Sequence, residues 1–134
     1  MKQLWINLPV KDIEQSRVFF KNIGFKINPR HENSDEAVGL MFGKNKFIVM
    51  LFPEKAFEKF CGNSVGQNRN STEVLFSIDA QSREEVDEFM RKVELAGGEI
   101  YREPQDSGMM YGAGFIDLDG HRWNVVYMGE QSEN

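Results

Sequence analysis

Apolar and polar positions along this chain spell one pattern twice. Residues 4–10 are mostly apolar and read as a strand, with Pro9 near its end, where a missing N–H is tolerated. Asp12 then stands as a helix N-cap, and Gln15, three residues on, completes a capping-box pattern. Ile13, Phe19, Phe20 and Ile23 recur at helical spacing, and Gly24 ends the helix as a left-handed cap. Residues 25–28, 37–42 and 47–52 read as three strands, the last two joined by a tight turn at Gly43-Lys44-Asn45. Residues 30–36 are polar and are expected to form an exposed loop, with His31 solvated in it. Residues 53–60 leave room for one or two helical turns.

A second pass begins after residues 62–71, which are rich in Gly, Asn and Ser and read as a linker. Residues 74–78 form a strand, and Ser82 with Glu85 a second capping box. Val86, Phe89, Met90 and Val93 mark a helical stripe that Gly97-Gly98 ends. Residues 99–102, 111–117 and 123–128 read as strands, with Leu118-Asp119-Gly120 turning the chain between the last two. Residues 105–110 are expected to be a loop fit to act as a lid, with Met109 and Met110 as adaptable apolar contacts there or at a dimer interface.

The order is β-α-β-β-β twice: module one 1–60, linker 61–71, module two 72–128, and a polar tail 129–134 expected to fray. The predicted fold class is α+β: two βαβββ modules whose sheets curl into one half-barrel mixed sheet, helices outside, as a single domain. The unbroken apolar run 47–52 predicts a strand covered on both faces, by a helix on one and by a lined cavity or a second subunit on the other.

Composition narrows the function classes. At 134 residues the chain is one domain's worth and can bury a core without staples. Sixteen basic against 21 acidic residues give a net charge of −5, with no Lys/Arg block, so a nucleic-acid partner is not expected. No apolar run approaches the roughly 20 residues that span a bilayer, so no membrane partner is expected. A basic-then-apolar leader pattern is missing, and the single Cys61 forms no internal disulfide, so a reducing, cytoplasmic setting is expected. Cys61 lacks a neighbouring activating motif and reads as an inert thiol.

Leu8-Pro9-Val10-Lys11-Asp12, then Ser16, Phe19-Phe20 and Gly24-Phe25, resemble the opening of the vicinal oxygen chelate superfamily, the glyoxalase / bleomycin-resistance / extradiol-dioxygenase group. Tyr111-Gly112 and Phe115 through Trp123 look like its closing pattern, with Leu118 where the family has a proline. The resemblance spans nearly the whole chain and points to a bacterial glyoxalase-like protein. It implies a homodimer. It also implies, in metal-using members, four His or Glu ligands from the first and last strand of each unit. Those positions fall here on Trp5, Met50, Glu73 and Asn124. An indole cannot ligate, a thioether suits zinc, nickel or manganese poorly, and an amide binds more weakly than a carboxylate. Only Glu73 remains, against the three or so protein groups of an open catalytic site. No metal and no other cofactor is therefore expected, the alternative being a divalent Ni, Zn, Mn or Fe held from displaced positions such as Glu73 with His121.

Strand alternation places Asn124 with Val126 and Met128 on one face and Trp123, Val125 and Tyr127 on the other. With Asn124 facing the trough, the lining is Trp5, Asn7, Met50, Glu73, Leu75, Ser77, Asn124 and Val126, and Tyr111 joins the substrate-binding set. Glu73 is the candidate catalytic base, or else only a polar residue opening a strand. Asn124 is a pocket hydrogen-bonding group or a structural amide. His121 is an acid/base group at the rim or a turn residue beside Trp123. A lined trough of this kind suits a small-molecule ligand. Three functions fit: metal-free binding of an apolar or aromatic molecule, with Glu73 attracting a cationic one; a metal-dependent lyase, isomerase or dioxygenase; or a protein of assembly only.

Overall fold

In the computed structural model, which describes residues 1–44, 47–67 and 70–129, the chain divides into two units, Met1–Gln67 and Asn68–Asn134. Asn45 of the expected tight turn, Asn68 and Arg69 of the expected linker, and residues 130–134 of the tail lie outside the described residues. The fold is α+β. Each unit carries a four-stranded mixed sheet in which the first strand pairs parallel with the last, and the remaining pairs are antiparallel. Among the described residues no helix is long and apolar enough to cross a membrane.

Unit one runs β1 (Ile6–Val10), α1 (Ile13–Asn22), β2 (Lys26–Ile27), a 3-10 turn (Pro29–His31), β3 (Val38–Phe42), β4 (Phe47–Pro53) and α2 (Glu54–Cys61), with sheet order β1-β4-β3-β2. Asp12 starts α1 by accepting the Gln15 backbone N–H at 3.0 Å. Phe19, Phe20 and Ile23 are buried together with Leu8 and Val10 of β1, Val38 and Leu40 of β3, and Val49 and Leu51 of β4. Each such side chain contributes roughly 1.5–3 kcal/mol on burial. Phe20 stacks on Phe25 at 5.3 Å, and Phe25 meets Phe42 edge-on at 4.9 Å, which ties the helix end to the outer strands.

One charged residue lies in this core. Arg17 is 4% exposed. Its guanidinium donates to the His31 carbonyl at 3.2 Å, to the Ser34 carbonyl and to the Glu14 carboxylate. Those acceptors offset the several kcal/mol that an unpartnered buried cation would cost. The segment after β2 is therefore clamped onto α1 rather than free, which no local pattern in residues 30–36 announces.

Unit two runs β5 (Leu75–Asp79), α3 (Arg83–Ala96), β6 (Glu99–Ser107), β7 (Met110–Ile116) and β8 (Arg122–Tyr127), with sheet order β5-β8-β7-β6. Ser82 caps α3 through the Glu85 N–H at 3.0 Å, and Glu85 returns a bond to the Gln81 N–H at 2.6 Å. Val86, Met90 and Val93 are buried, as are Ala113 and Phe115 of β7 and Trp123 and Val125 of β8. Trp123 packs against Phe76 at 4.9 Å and parallel to Phe115 at 6.0 Å. Asp117, 3% exposed, organises the turn before β8. One carboxylate oxygen accepts the Asp119 and His121 backbone N–H groups at 2.9 and 3.0 Å, and the other accepts Trp123 Nε1–H at 3.1 Å. Gly120, at φ 90°, supplies the left-handed residue this turn needs.

Two local expectations are corrected, at residues 105–107 and at the start of β1. Residues 105–107 continue β6 as a hairpin with β7, through Gln105↔Gly112, Asp106↔Tyr111 and Ser107↔Met110, and do not form a lid loop. Register shifts between Ile100 and Arg102 and between Arg102 and Gln105 let the strand pass Pro104 and resume pairing. The apolar strand β4 is fully buried on one face only: Val49 and Leu51 are buried, whereas Ile48, Met50 and Phe52 are half-buried. β1 begins at Ile6, leaving Trp5 before the strand.

Burial raises the Asp117 carboxyl above its ordinary 3.8, against the opposing pull of His121, Trp123 and the turn N–H groups. The folded state then holds this proton more tightly than the unfolded chain. The stability it contributes is complete below 3.8 and is lost as pH rises through the folded value. Asp117→Ala should cost about 1–3 kcal/mol by stranding three donors, Trp123 Nε1–H among them. Urea unfolding at several pH values should show that penalty largest at the acid end and shrinking through the window above 3.8. A penalty that grows with pH would contradict this account.

Candidate functional site

Each sheet has one face under its first helix, α1 or α3, and one turned away from that helix, and in unit two the second face carries the polar chemistry. In unit two the paired rows Ser77↔Asn124↔Gly114 and Leu75↔Arg122 define that face. Alternation puts Leu75, Ser77 and Asp79 of β5, Arg122, Asn124 and Val126 of β8, and Gly112 and Gly114 of β7 on it. Asn124 is its centre. Its amide oxygen accepts the Tyr101 hydroxyl at 2.9 Å and the Arg102 guanidinium at 3.2 Å, and its amide nitrogen lies 3.5 Å from the Ser77 hydroxyl.

Glycine makes this arrangement possible. The Tyr101 ring crosses β7 over Gly114, where an added Cβ would sit 2.6 Å from the ring hydroxyl and 2.7 Å from Cε2. Arg102 passes Gly112 at ordinary van der Waals distance, its guanidinium 3.8 Å from where a Cβ would stand. The Arg122 guanidinium lies on the Tyr101 ring, 4.6 Å from its centroid. Tyr101, Arg102 and Arg122 thus form with Asn124 and Ser77 one polar cluster.

Unit one repeats the geometry with different side chains. The row Asn7↔Met50↔Gly39 matches Ser77↔Asn124↔Gly114 strand for strand. Here His31 takes the place above the glycine: its Nδ1 accepts the Gly39 N–H at 3.1 Å. An added Cβ on Gly39 would meet His31 Nδ1 at 3.1 Å and Met50 Sδ at 3.3 Å. An Nδ1 that accepts leaves the neutral ring's proton on Nε2. His31 is half-buried rather than solvated.

The structure brings Leu75, Ser77, Asn124 and Val126 onto one face of unit two, and Asn7 and Met50 onto the matching face of unit one. It does not bring the others there within their own strands. Trp5 precedes β1 and is 55% exposed, and Glu73 is exposed two residues before β5. Tyr111 points to the helix side, where its hydroxyl donates to Asp87 at 2.6 Å beneath Arg83, which also pairs with Asp106. The bond to Asp87, with some burial, holds that phenol above its ordinary 10.0, against the pull of Arg83. Sequence reasoning missed Tyr101, Arg102, Arg122 and His31. The one signal for the first three was the Gly112 and Gly114 pair on the strand beside them.

The divalent ion that the resemblance implies does not fit these residues. Among the described residues, no three His, Cys, Asp or Glu side chains gather to hold a metal. At the last-strand position the amide oxygen already receives two donors, one of them a cation. No chemical step is assigned to a metal here.

Residues 2–35 match the family described as bleomycin resistance protein-like N-terminal. No curated protein matches the chain. A hypothetical protein from S. aureus is 38% identical over 95% of this chain and 94% of its own, with a TM-score of 0.83. A glyoxalase-related enzyme from Fulvimarina pelagi is 18% identical, covering 95% of this chain and 88% of its own at TM-score 0.78. A glyoxalase/bleomycin resistance protein/dioxygenase family enzyme from Burkholderia phytofirmans PsJN is also 18% identical, covering 92% and 96% at TM-score 0.76. At 18% these two show likeness of fold alone.

Gly114→Ala should destabilise the protein by about 1–3 kcal/mol, because the methyl expels the Tyr101 ring. Made in a Tyr101→Ala background, the same change should cost much less, which a denaturation double-mutant cycle measures. Equal penalties in both backgrounds would show that Gly114 does not serve to seat Tyr101.

Proposed function

We propose that the chain, whose residues 2–35 match a bleomycin resistance protein-like N-terminal family and whose fold is like that of glyoxalase / bleomycin-resistance / dioxygenase proteins, binds a small molecule on the polar face of unit two, without the divalent metal usual in that group. One observation carries this reading: the amide oxygen of Asn124 is taken by the Tyr101 hydroxyl and the Arg102 guanidinium. A carboxylate there would attract a cation. An amide bonded to a guanidinium repels one, since like charges a few ångströms apart near a surface interact by several kcal/mol.

What the face offers instead suits a ligand. Leu75 and Val126 are apolar, Tyr101 presents a ring, and Ser77 with Asn124 gives directional hydrogen bonds. A mainly apolar surface with a few placed polar groups is the common form of a small-molecule site. Exposed Glu73 stands outside this cluster, so binding rather than base catalysis is the role proposed.

Purified protein should contain metal well below one equivalent. Its thermal midpoint should not move on adding manganese, nickel, zinc or iron(II), since only an ion that binds the native form raises it. A stoichiometric metal, or a midpoint raised by one of these ions, would reject this reading in favour of a metal-dependent lyase, isomerase or dioxygenase.

A further inference from the structure

Three arginines of this acidic chain are paired with a carboxylate where they stand. Arg17 holds Glu14, Arg83 holds Asp106 and Arg91 holds Glu88. Arg102 and Arg122 differ. Both are half-buried on the polar face of unit two, and neither meets a carboxylate among the described residues. Arg102 spends one N–H on the neutral Asn124 oxygen. Arg122 lies on the Tyr101 ring, and its buried Nε–H has no hydrogen-bond partner among the described residues. A buried donor left without an acceptor costs roughly 1–3 kcal/mol and is rare in folded proteins.

One guanidinium without a carboxylate partner lies on the Tyr101 ring and a second shares the Asn124 oxygen with the Tyr101 hydroxyl, in a chain of net charge −5. We propose that the small molecule bound on this face is an anion, and that Arg102 and Arg122 receive its oxyanionic headgroup, a carboxylate or a phosphoryl group. The assignment rests on the binding role proposed above and fixes the charge of the ligand, opposite to the cation that Glu73 had suggested.

Arginine suits the task because its planar fork gives two parallel charge-assisted bonds to such a headgroup. Asn124 and the Tyr101 ring hold the two forks in place before the ligand arrives, which lowers the ordering cost of binding. Asp79, exposed on the same strand face as Ser77, accepts from Gln81 Nε2 at 3.1 Å and stands beside Val126 rather than beside either arginine.

The test uses metal-free full-length protein labelled with nitrogen-15, with the arginine Nε–H signals followed in solution. Benzoate and inorganic phosphate are titrated against chloride at matched ionic strength, and benzylammonium serves as the cationic counterpart of benzoate. Saturable shifts of the Arg102 and Arg122 signals with benzoate, phosphate or both are expected, and the anion that acts names the headgroup. Arg102→Gln and Arg122→Gln should each weaken binding about tenfold or more. Arg102→Lys should recover only part, and Arg91→Gln should change nothing. If Arg122→Gln does not fold, the two Arg102 variants decide.

No saturable shift with either anion, shifts equalled by chloride, tighter binding of benzylammonium, or affinity unchanged in the arginine variants would overturn the assignment. Such a failure with no response to metals rejects the anion alone. A midpoint raised by a metal ion rejects the binding role beneath it.

Discussion

The third strand of each sheet carries a glycine where a side chain from the neighbouring segment comes close, and in unit two no larger residue fits there without moving that side chain. Gly114 in β7 lies beneath the Tyr101 ring, and Gly39 in β3 lies beneath the His31 ring. Neither is needed for an unusual backbone angle; what each supplies is the missing Cβ. Any larger residue at 114 would lift Tyr101 away from Asn124 and Arg122 out of its stack. The polar cluster of unit two therefore depends on an atom that is not there. The repeat makes the point twice, because both glycines occupy the same row, beside Met50 in one unit and Asn124 in the other.

Two buried ionisable groups turn this sheet geometry into fixed loops, one in each unit. Arg17 ties residues 31 and 34 to α1, and so fixes the height of His31 above Gly39. Asp117 gathers the turn before β8 and anchors Trp123, and so fixes the phase of the strand that presents Arg122 and Asn124. Phase matters because one residue of slip would turn Asn124 toward α3 and Trp123 toward the polar face. The exposed pairs Arg83–Asp106 and Arg91–Glu88 have no comparable consequence, since exposed ion pairs contribute little to stability. Apolar burial drives the fold. The two buried ionisable groups decide its details.

The sequence was most legible where periodicity and caps agree. Asp12 with Gln15 and Ser82 with Glu85 marked both long helices, and alternation along β8 separated Asn124 from Trp123. It was least legible where a side chain serves a strand other than its own. Tyr101 and Arg102 both reach the Asn124 row because a bulge between Ile100 and Arg102 sets two residues against one, and alternation assumes no bulge. Tyr111 was drawn into the site set by a motif, yet its phase beside Tyr127 carries it to the helix side. His31 looked solvated because its neighbours are polar. The residue that holds its segment down, Arg17, lies on a different element, 14 positions earlier.

An amide rather than a carboxylate at position 124 matters beyond one candidate ligand. A glutamate in that place would draw Arg102, now 3.2 Å from the amide oxygen, into an ion pair, with Arg122 two residues away in the same strand. One of the two arginine charges would then be spent inside the protein. An amide accepts from Tyr101 and Arg102 without cancelling a charge, so both guanidinium groups keep their full field toward whatever lies above the sheet. The two chemistries exclude each other on one row of side chains. A carboxylate centre would cancel one of the two arginine charges, whereas an amide centre leaves both in place in a chain of net charge −5. Moving between them takes one side chain, while the glycines, the bulge and the buried ionisable groups that shape the face stay as they are.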